Sequence, residues 1–235
     1  MHTTSGIAPP PARPGHDALA ELVASQLGDD KHRPSASSTL DVLWVLYDRV
    51  LRVDPAAPDD PDRDRFLLSK GHGPAAFYAV LAARGFIPPL VLRSFGSFRS
   101  PLGHHPDRRL VPGVEISSGS LGHGLPIAVG LALGLRAAGR TRPRVVCLVG
   151  DAELDEGSNH EAVALAGRLA VDRLTVVAID NRSASHGWPG GIEARFELEG
   201  WRACRVSGRD HDALERAFAP AGDGRPDLVV AEVLE

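Results

Sequence analysis

The sequence predicts an α/β fold in three layers, with a parallel sheet between helices on both faces. A chain of 235 residues can bury a real core and fits one large domain better than two small ones. Hydrophobic residues make up 43% of the chain but aromatic residues only 5%, so Ala, Gly and Val fill much of the interior, which suits close packing of helices on a sheet. From residue 144 onwards, strand and helix patterns alternate, which predicts parallel strands joined by right-handed crossovers.

The N-terminal part of the chain combines a Pro-rich segment with two helical patterns. We expect residues 1–15 to be a disordered arm and residues 16–235 to be the folded domain. The arm lacks the basic start and long apolar stretch of a signal peptide or membrane anchor, which favours a cytoplasmic protein. Amphipathic patterns predict helices over residues 17–28 and 38–51, with a polar segment between them.

The middle and C-terminal parts supply the remaining elements. A long loop rich in Gly, Pro and His covers residues 102–124, and loops of this length in compact domains are usually functional. The other predicted elements are a Pro/Asp loop at 54–65, helices at 69–85, 125–139, 156–170 and 212–221, a further short helix after the loop that follows residue 180, and strands at 144–150, 174–180, 201–207 and 227–235.

Charge and cysteine content exclude several classes of protein. The formal net charge is only -4, and no stretch interleaves Lys and Arg with aromatics as a nucleic-acid groove requires. Cys147 and Cys204 both fall in apolar strand-like runs, without a second Cys or a His at metal-ligand spacing. We therefore expect no nucleic-acid partner, and two reduced cysteines in the core.

Two polar side chains follow predicted strands and point to a ligand site. Asp151 ends one strand and Asn181 the next, and ligands of open α/β sheets bind at that edge. With a loop carbonyl near Ser183 and phosphate oxygens, they would form a hard-oxygen site for Mg²⁺ or Ca²⁺, and the helix that starts near Glu156 favours an anion there. The alternatives are ordinary strand-end turn residues, or a nucleotide hydrolase, for which no G-x-x-x-x-G-K-[ST] loop is present.

Three long segments resemble the amino-terminal half of the transketolase family. They are DRDRFLLSKGHGPAAFYAVLAARG, GHHPDRRLVPGVEISSGSLGHGLPIAVGLALG, and GDAELDEGSNHEA followed by a strand ending IDNRSASHG. The last is similar to the family's thiamine-diphosphate motif, which begins GDG and ends in Asn. The resemblance covers about residues 17–234 and implies the thiamine-diphosphate-binding fold of the diphosphate-binding (PP) domain.

The resemblance implies roles for individual residues. Asp151, Asn181 and the backbone carbonyl of Ser183 resemble the metal ligands, for Mg²⁺ or Ca²⁺. The implied contacts to thiamine diphosphate are His72, Gly119, Ser120, Leu121, Gly150, Asp151, Ala152, Glu153, Asn181 and Ser183.

Three histidines resemble the family's catalytic histidines: His32, His72 and His105. His32 lies nine residues before Asp41, as in the family, but it stands in HRPSAS rather than HPGGS, and its alternative is a solvated loop histidine. For His72 the alternative is a histidine at a helix N-terminus. For His105 the neighbouring His104 leaves open which of the two faces the substrate.

The resemblance also implies an assembly. Glu156 and Glu161 match acids at the family's dimer interface, although they also suit a helix N-terminus as simple carboxylates. The Glu that activates the cofactor's ring lies in the family's next domain, and this chain stops before the K-G-K-G loop. We therefore expect a separate pyrimidine-domain subunit that supplies this Glu, in an α2β2 heterotetramer.

The expected activity is transfer of a two-carbon ketol unit from a ketose donor to a sugar phosphate or to a specialised acceptor, such as an acyl group on a carrier protein. Departures from the family are Ala152 in the GDG motif, His123 for Gln, and Ser183 and Ser185 at normally apolar positions, which predict a more polar pocket. The alternatives are 2-oxo acid decarboxylation or acyl transfer on the same fold, and a non-catalytic scaffold subunit.

Overall fold

The computed structural model describes residues 15–27 and 33–233. The predicted arm therefore lies outside the described residues except for Gly15, and so does His32. The helices are α1 (His16–Leu27), α2 (Arg33–Val45), α3 (Pro74–Ala83), α4 (Gly124–Ala137), α5 (Gly157–Arg168), α6 (Gly191–Leu198) and α7 (His211–Ala217). The strands are β1 (Arg65–Leu68), β2 (Val145–Gly150), β3 (Leu174–Asp180), β4 (Arg202–Ser207) and β5 (Asp227–Glu232).

The five strands form one sheet in the order β1-β2-β3-β5-β4. Every neighbouring pair is parallel, and Gly150 at the end of β2 lies opposite Ile179 near the end of β3. The predicted parallel α/β fold is confirmed. Strand β1 was not predicted, because its four residues (RFLL) are too short to show a strand period between the Pro/Asp loop and the glycines that follow.

The sheet has a hydrophobic core on each face. Along β2, Val146 and Leu148 point to the core that contains α1, α2, α3 and α7, whereas Val145, Cys147 and Val149 point to the core that contains α4, α5 and α6. This alternation is the two-residue period of a strand. It explains why β2 is an unbroken apolar run, as a strand buried on both faces must be.

Three predictions need correction. Helix α2 begins at Arg33 rather than at residue 38, so the polar segment between the first two helices is shorter than expected. Its end is also different, since residues 46–50 form a π-helical turn. Cys147 is buried as predicted, but Cys204 is exposed, because β4 is an edge strand that pairs only with β5.

A buried carboxylate ties the base of the sheet together. Asp64 has no exposed side-chain surface and accepts hydrogen bonds from the backbone N–H and guanidinium of both Arg52 and Arg144. Burial raises the pKa of Asp64, but these donors outweigh burial and hold the pKa below its usual value.

Within residues 15–27 and 33–233, no helix is both long and apolar enough to cross a membrane.

Candidate functional site

The carboxyl ends of β2 and β3 bring Asp151 and Asn181 to the same edge of the sheet. The backbone N–H of Asp151 donates to the carbonyl of Ile179 at 3.0 Å, which joins the two strand ends directly. Asp151 is only 4% exposed. Its Oδ1 accepts from the backbone N–H of Ala152 (2.8 Å) and the hydroxyl of Ser183 (2.5 Å), and its Oδ2 from the N–H groups of Ser183 (2.7 Å) and Ala184 (3.2 Å).

Asn181 carries a buried acceptor without a partner. Its Oδ1 is inaccessible to solvent and accepts no hydrogen bond from the described residues. A buried carbonyl-type oxygen left unpaired is unfavourable unless a ligand completes it. Together with the neighbouring carboxylate of Asp151, this oxygen has the chemistry that Mg²⁺ or Ca²⁺ selects, so the residues present fit a divalent cation.

The backbone between these side chains is strained. Arg182 has a φ of +57°, in the left-handed region that a residue with a long side chain rarely adopts. This turn directs the N–H groups of Ser183 and Ala184 back to Asp151. Strain of this kind concentrates at binding sites, where surrounding contacts hold it in place.

Glu153 connects three turns at this edge. The side chain is 2% exposed and accepts hydrogen bonds from the hydroxyl of Ser69 and from the backbone N–H groups of Gly122 (3.0 Å) and Gly150 (3.3 Å). Burial raises the pKa of Glu153, although these donors oppose the shift. The predicted cofactor contact therefore has its side chain turned inward, and only its backbone is left to meet a ligand.

The turn over residues 119–124 packs closely against its neighbours at two glycines. Gly122 has a φ of +78°, and a Cβ there would lie 2.6 Å from Oγ of Ser158; a Cβ on Gly124 would lie 2.3 Å from Cβ of Ser69. The N–H of Gly124 donates to the Ser69 hydroxyl at 3.0 Å. Backbone this close to its neighbours admits no side chain, so the turn is fixed against both β1 and α5.

The predicted contacts at the start of this turn lie near two of the predicted histidines. A Cβ on Gly119 would lie 2.7 Å from Cγ of His105, and one on Gly71 would lie 3.3 Å from Cδ2 of Leu121. The S-K-G-H-G turn that carries exposed His72 therefore packs beside the turn that carries Gly119, Ser120 and Leu121. Ser120 and Leu121 are exposed.

His104 and His105 point to different neighbours. The ring of His104 meets Phe95 edge-on at 5.3 Å and lies against Gly96, whereas His105 packs on Gly119. Of the two, His105 is therefore the one beside the turn of predicted cofactor contacts.

Lys70 was missed by the sequence reasoning. It is 7% exposed, and its Nζ lies 3.0 Å from the hydroxyls of Ser38 and Thr39. Burial lowers its pKa to about 8, although the charges of Asp151 and Glu153 oppose the shift. A Cβ on Gly150 would touch the Lys70 stem at 3.4 Å, which places this cation beside the β2 turn. The available signal was a Lys two residues after the apolar run Phe66–Leu68 and directly before the glycine-rich G-H-G segment.

An acid, a buried amide oxygen, close-packed glycine turns and a buried Lys thus lie at the carboxyl edge of a parallel sheet, which is the edge where open α/β sheets bind their ligands. The chain belongs to the transketolase family, since the family model for the transketolase thiamine diphosphate binding domain matches residues 24–234.

Individual relatives agree with this family. A protein named ferredoxin fas2, from Rhodococcoides fascians, is 54% identical over 223 residues, or 95% of this chain and 73% of that protein. An apulose-4-phosphate transketolase subunit from Actinobacillus succinogenes is 35% identical over 207 residues, or 85% of this chain and 75% of that protein. The solved transketolase from Leishmania mexicana matches with a TM-score of 0.78 and 27% identity, over 93% of this chain and 36% of that chain.

The coverage differs between these kinds of relative. The chain spans about three quarters of the apulose-4-phosphate transketolase subunit but only about a third of the Leishmania transketolase.

An iron–sulfur cluster of the ferredoxin type takes four cysteine ligands, whereas this chain contains two cysteines. The two cysteines of this chain are therefore too few to hold such a cluster, despite the name of the relative ferredoxin fas2.

Proposed function

We propose that this chain is the diphosphate-binding subunit of a two-component transketolase-like enzyme, which transfers a two-carbon ketol unit from a ketose donor to an acceptor. The observation that carries the proposal is the unpaired, buried Oδ1 of Asn181 beside the carboxylate of Asp151. The similarity to a relative that is itself named as one subunit of a transketolase supports the split arrangement.

The described residues would supply contacts for the metal, the diphosphate and the aminopyrimidine ring of thiamine diphosphate. Asp151, Asn181 and the Ser183 carbonyl would hold the divalent metal. The backbone at Gly150 and Ala152, with His72, would meet the diphosphate, and Gly119, Ser120 and Leu121 would meet the aminopyrimidine ring. When bound, this cofactor supplies the electron sink for cleaving a carbon–carbon bond next to a carbonyl.

Histidines would handle protons and substrate hydroxyls. An imidazole both donates and accepts hydrogen bonds and can exchange protons, so His72 and His105, whose turns both pack beside the turn over residues 119–121, would orient a ketol and exchange protons with it. Support for His105 over His104 comes from its packing on Gly119. His32 stays a prediction, because it lies outside the described residues.

A partner subunit would complete the site. It would carry the pyrimidine-binding domain and the Glu that activates the cofactor's ring, in an α2β2 assembly. Glu156 and Glu161 are both exposed, which leaves them available for the proposed self-contact beside the cofactor. The acceptor would be a sugar phosphate or a specialised group such as a carrier-bound acyl chain.

Calorimetry tests the proposal. Thiamine diphosphate should bind weakly to this chain alone, only in the presence of Mg²⁺, and tightly once a pyrimidine-domain subunit is added. Absence of Mg²⁺-dependent binding by the pair would overturn the proposal.

A second assay separates the reaction classes. The assembled pair should consume a ketose donor when an aldose phosphate is present. Consumption of a 2-oxo acid without a ketose donor would instead assign the decarboxylase chemistry, and cofactor binding without turnover of either donor would assign a scaffold subunit.

A further inference from the structure

A second cluster of metal-ligating side chains lies where α1, α2 and α7 meet. His16, Asp41 and His211 each place one ligand atom within 4.8 Å of the other two. Nε2 of His16 lies 2.9 Å and Nε2 of His211 lies 2.8 Å from the same oxygen, Oδ1 of Asp41. None of these residues belongs to the site at the carboxyl ends of β2 and β3.

One nitrogen of the cluster lies close to Asp41 but makes no hydrogen bond with it. Despite its short distance to Asp41, Nε2 of His16 is buried and makes no hydrogen bond to any described residue, so its N–H or lone pair is not aimed along that contact. A buried imidazole nitrogen without a partner is unfavourable. A ligand located among the three side chains would pair with it.

From this arrangement we infer that His16, Asp41 and His211 form a binding site for a divalent transition metal of the Zn²⁺ type. Two imidazoles and one carboxylate are a common ligand set for Zn²⁺, whereas Mg²⁺ and Ca²⁺ prefer all-oxygen sites. In tetrahedral zinc sites with bonds near 2.0 Å, ligand atoms lie about 3.3 Å apart, so the nitrogen–oxygen distances here need to open by only a few tenths of an ångström.

Access and charge are compatible with such a metal. The side chains of His16 and His211 are 26% and 23% exposed, so the cluster lies close to the protein surface. Arg209 competes with the metal, because its guanidinium donates to Oδ2 of Asp41 at 2.5 Å. The cation would join α1 to α2 and α7, and it would therefore stabilise the folded chain by mass action.

Cobalt titration tests the site. The untagged full chain, stripped with a chelator, is titrated with Co²⁺ in excess Mg²⁺, and visible absorption reports coordination by nitrogen ligands. We expect one Co²⁺ per chain, displaced by Zn²⁺. His16→Asn and His211→Asn should each weaken binding by more than about tenfold, while His186→Asn, at an exposed loop position, should leave it unchanged.

Arg209→Gln separates a metal site from a hydrogen-bonded junction. Removing the competing guanidinium should tighten Co²⁺ binding several-fold. Absence of stoichiometric binding by the unmodified chain, undiminished binding by both histidine variants, or weaker binding by Arg209→Gln would overturn the inference. Circular dichroism on each variant shows whether it is folded, and the Arg209 variant leaves all three ligands in place.

Discussion

The amide oxygen of Asn181 is the residue-level feature from which the metal proposal is argued. This oxygen is buried and accepts no hydrogen bond from the described residues. It therefore adds no stability to the chain without metal, whereas a bound cation would be coordinated by it. Asn181→Ala should therefore weaken Mg²⁺-dependent thiamine-diphosphate binding by at least about tenfold, or about 1.4 kcal/mol, without lowering the stability of the apo chain. Calorimetry and urea unfolding measure the two quantities.

Ser183→Ala is the matched control for Asn181→Ala. It keeps the backbone carbonyl that is proposed as a metal ligand and removes only the hydroxyl that donates to Asp151. Its affinity for the metal and cofactor should be no lower than that of the unmodified chain. Equal losses in both variants would contradict a role for the Asn181 oxygen in metal binding.

Asp64 makes the stability of the folded chain depend on pH. Its pKa is lower in the folded chain than in the unfolded chain, where the pKa of an Asp side chain is about 3.9. The stabilisation is present above that pH and is lost as the pH falls through the lower folded value, because the unfolded chain binds the proton first.

Asp64→Asn should therefore destabilise the chain by about 3 kcal/mol at neutral pH, because it leaves two arginines without their buried carboxylate. The difference from the unmodified chain should shrink as the pH falls below about 4. Urea unfolding over a pH series measures this. Asp59→Asn, at an exposed position, should change stability by less than about 0.5 kcal/mol, and a pH-independent difference for Asp64→Asn would contradict the argument.

At the scale of elements, the start of α4 is positioned by a glycine that has no room for a side chain. A Cβ on Gly124 would lie 2.3 Å from Cβ of Ser69, so Gly124→Ala must displace the helix start from β1. We expect a loss of at least about 1–3 kcal/mol and weaker cofactor binding, because the turn over residues 119–124 moves with the helix.

Gly130→Ala provides the control in the same helix. Nothing lies within 4 Å of a Cβ at Gly130, so this substitution should stabilise the chain by about 0.5–1 kcal/mol through helix propensity alone. Thermal or urea unfolding of the two variants compares them directly. Similar effects at both glycines would show that close packing against Ser69 is unimportant.

The loop after β3 is also positioned by packing. The ring of Trp188 stacks with that of His160 of α5, at 4.8 Å, and with that of Phe196 of α6, at 6.2 Å. These ring contacts, here called the clamp of His160, Trp188 and Phe196, position the far end of the loop that begins with Asn181. The sequence predicted the loop but not the clamp, because the three rings are separated along the chain.

At the scale of the molecule, helix α5 presents an exposed apolar face next to the acids proposed at the assembly interface. Leu165, one turn after Glu161, is 47% exposed, and Leu169, directly after the end of the helix, is 42% exposed. Leu165→Arg should disrupt the proposed self-contact between two copies of this chain while leaving the isolated chain folded, because it places a charge in an apolar contact. Analytical ultracentrifugation of the mixed subunits measures the assembly.

Leu198→Arg is the corresponding control on α6. Leu198 is 76% exposed and lies on a different helix from the proposed interface. Its substitution should leave the assembly intact. Dissociation caused by both variants, or by Leu198→Arg alone, would place the interface elsewhere.

The sequence by itself determined the parallel α/β fold and the edge at which Asp151 and Asn181 meet. Both follow from local information, since β2 and β3 are largely apolar runs and the residue after each of them lies at the carboxyl edge. The family could also be identified from the sequence, because its motifs are contiguous segments.

Only the tertiary structure decided which way individual side chains point. It turned Glu153 inward, placed His105 rather than His104 against Gly119, exposed Cys204 on an edge strand, brought Lys70 beside Gly150, and gathered His16, Asp41 and His211 from three helices. These outcomes depend on contacts between residues that are distant in the chain. No local pattern encodes such contacts, because burial and hydrogen-bond partners are set by the packing of whole elements against one another.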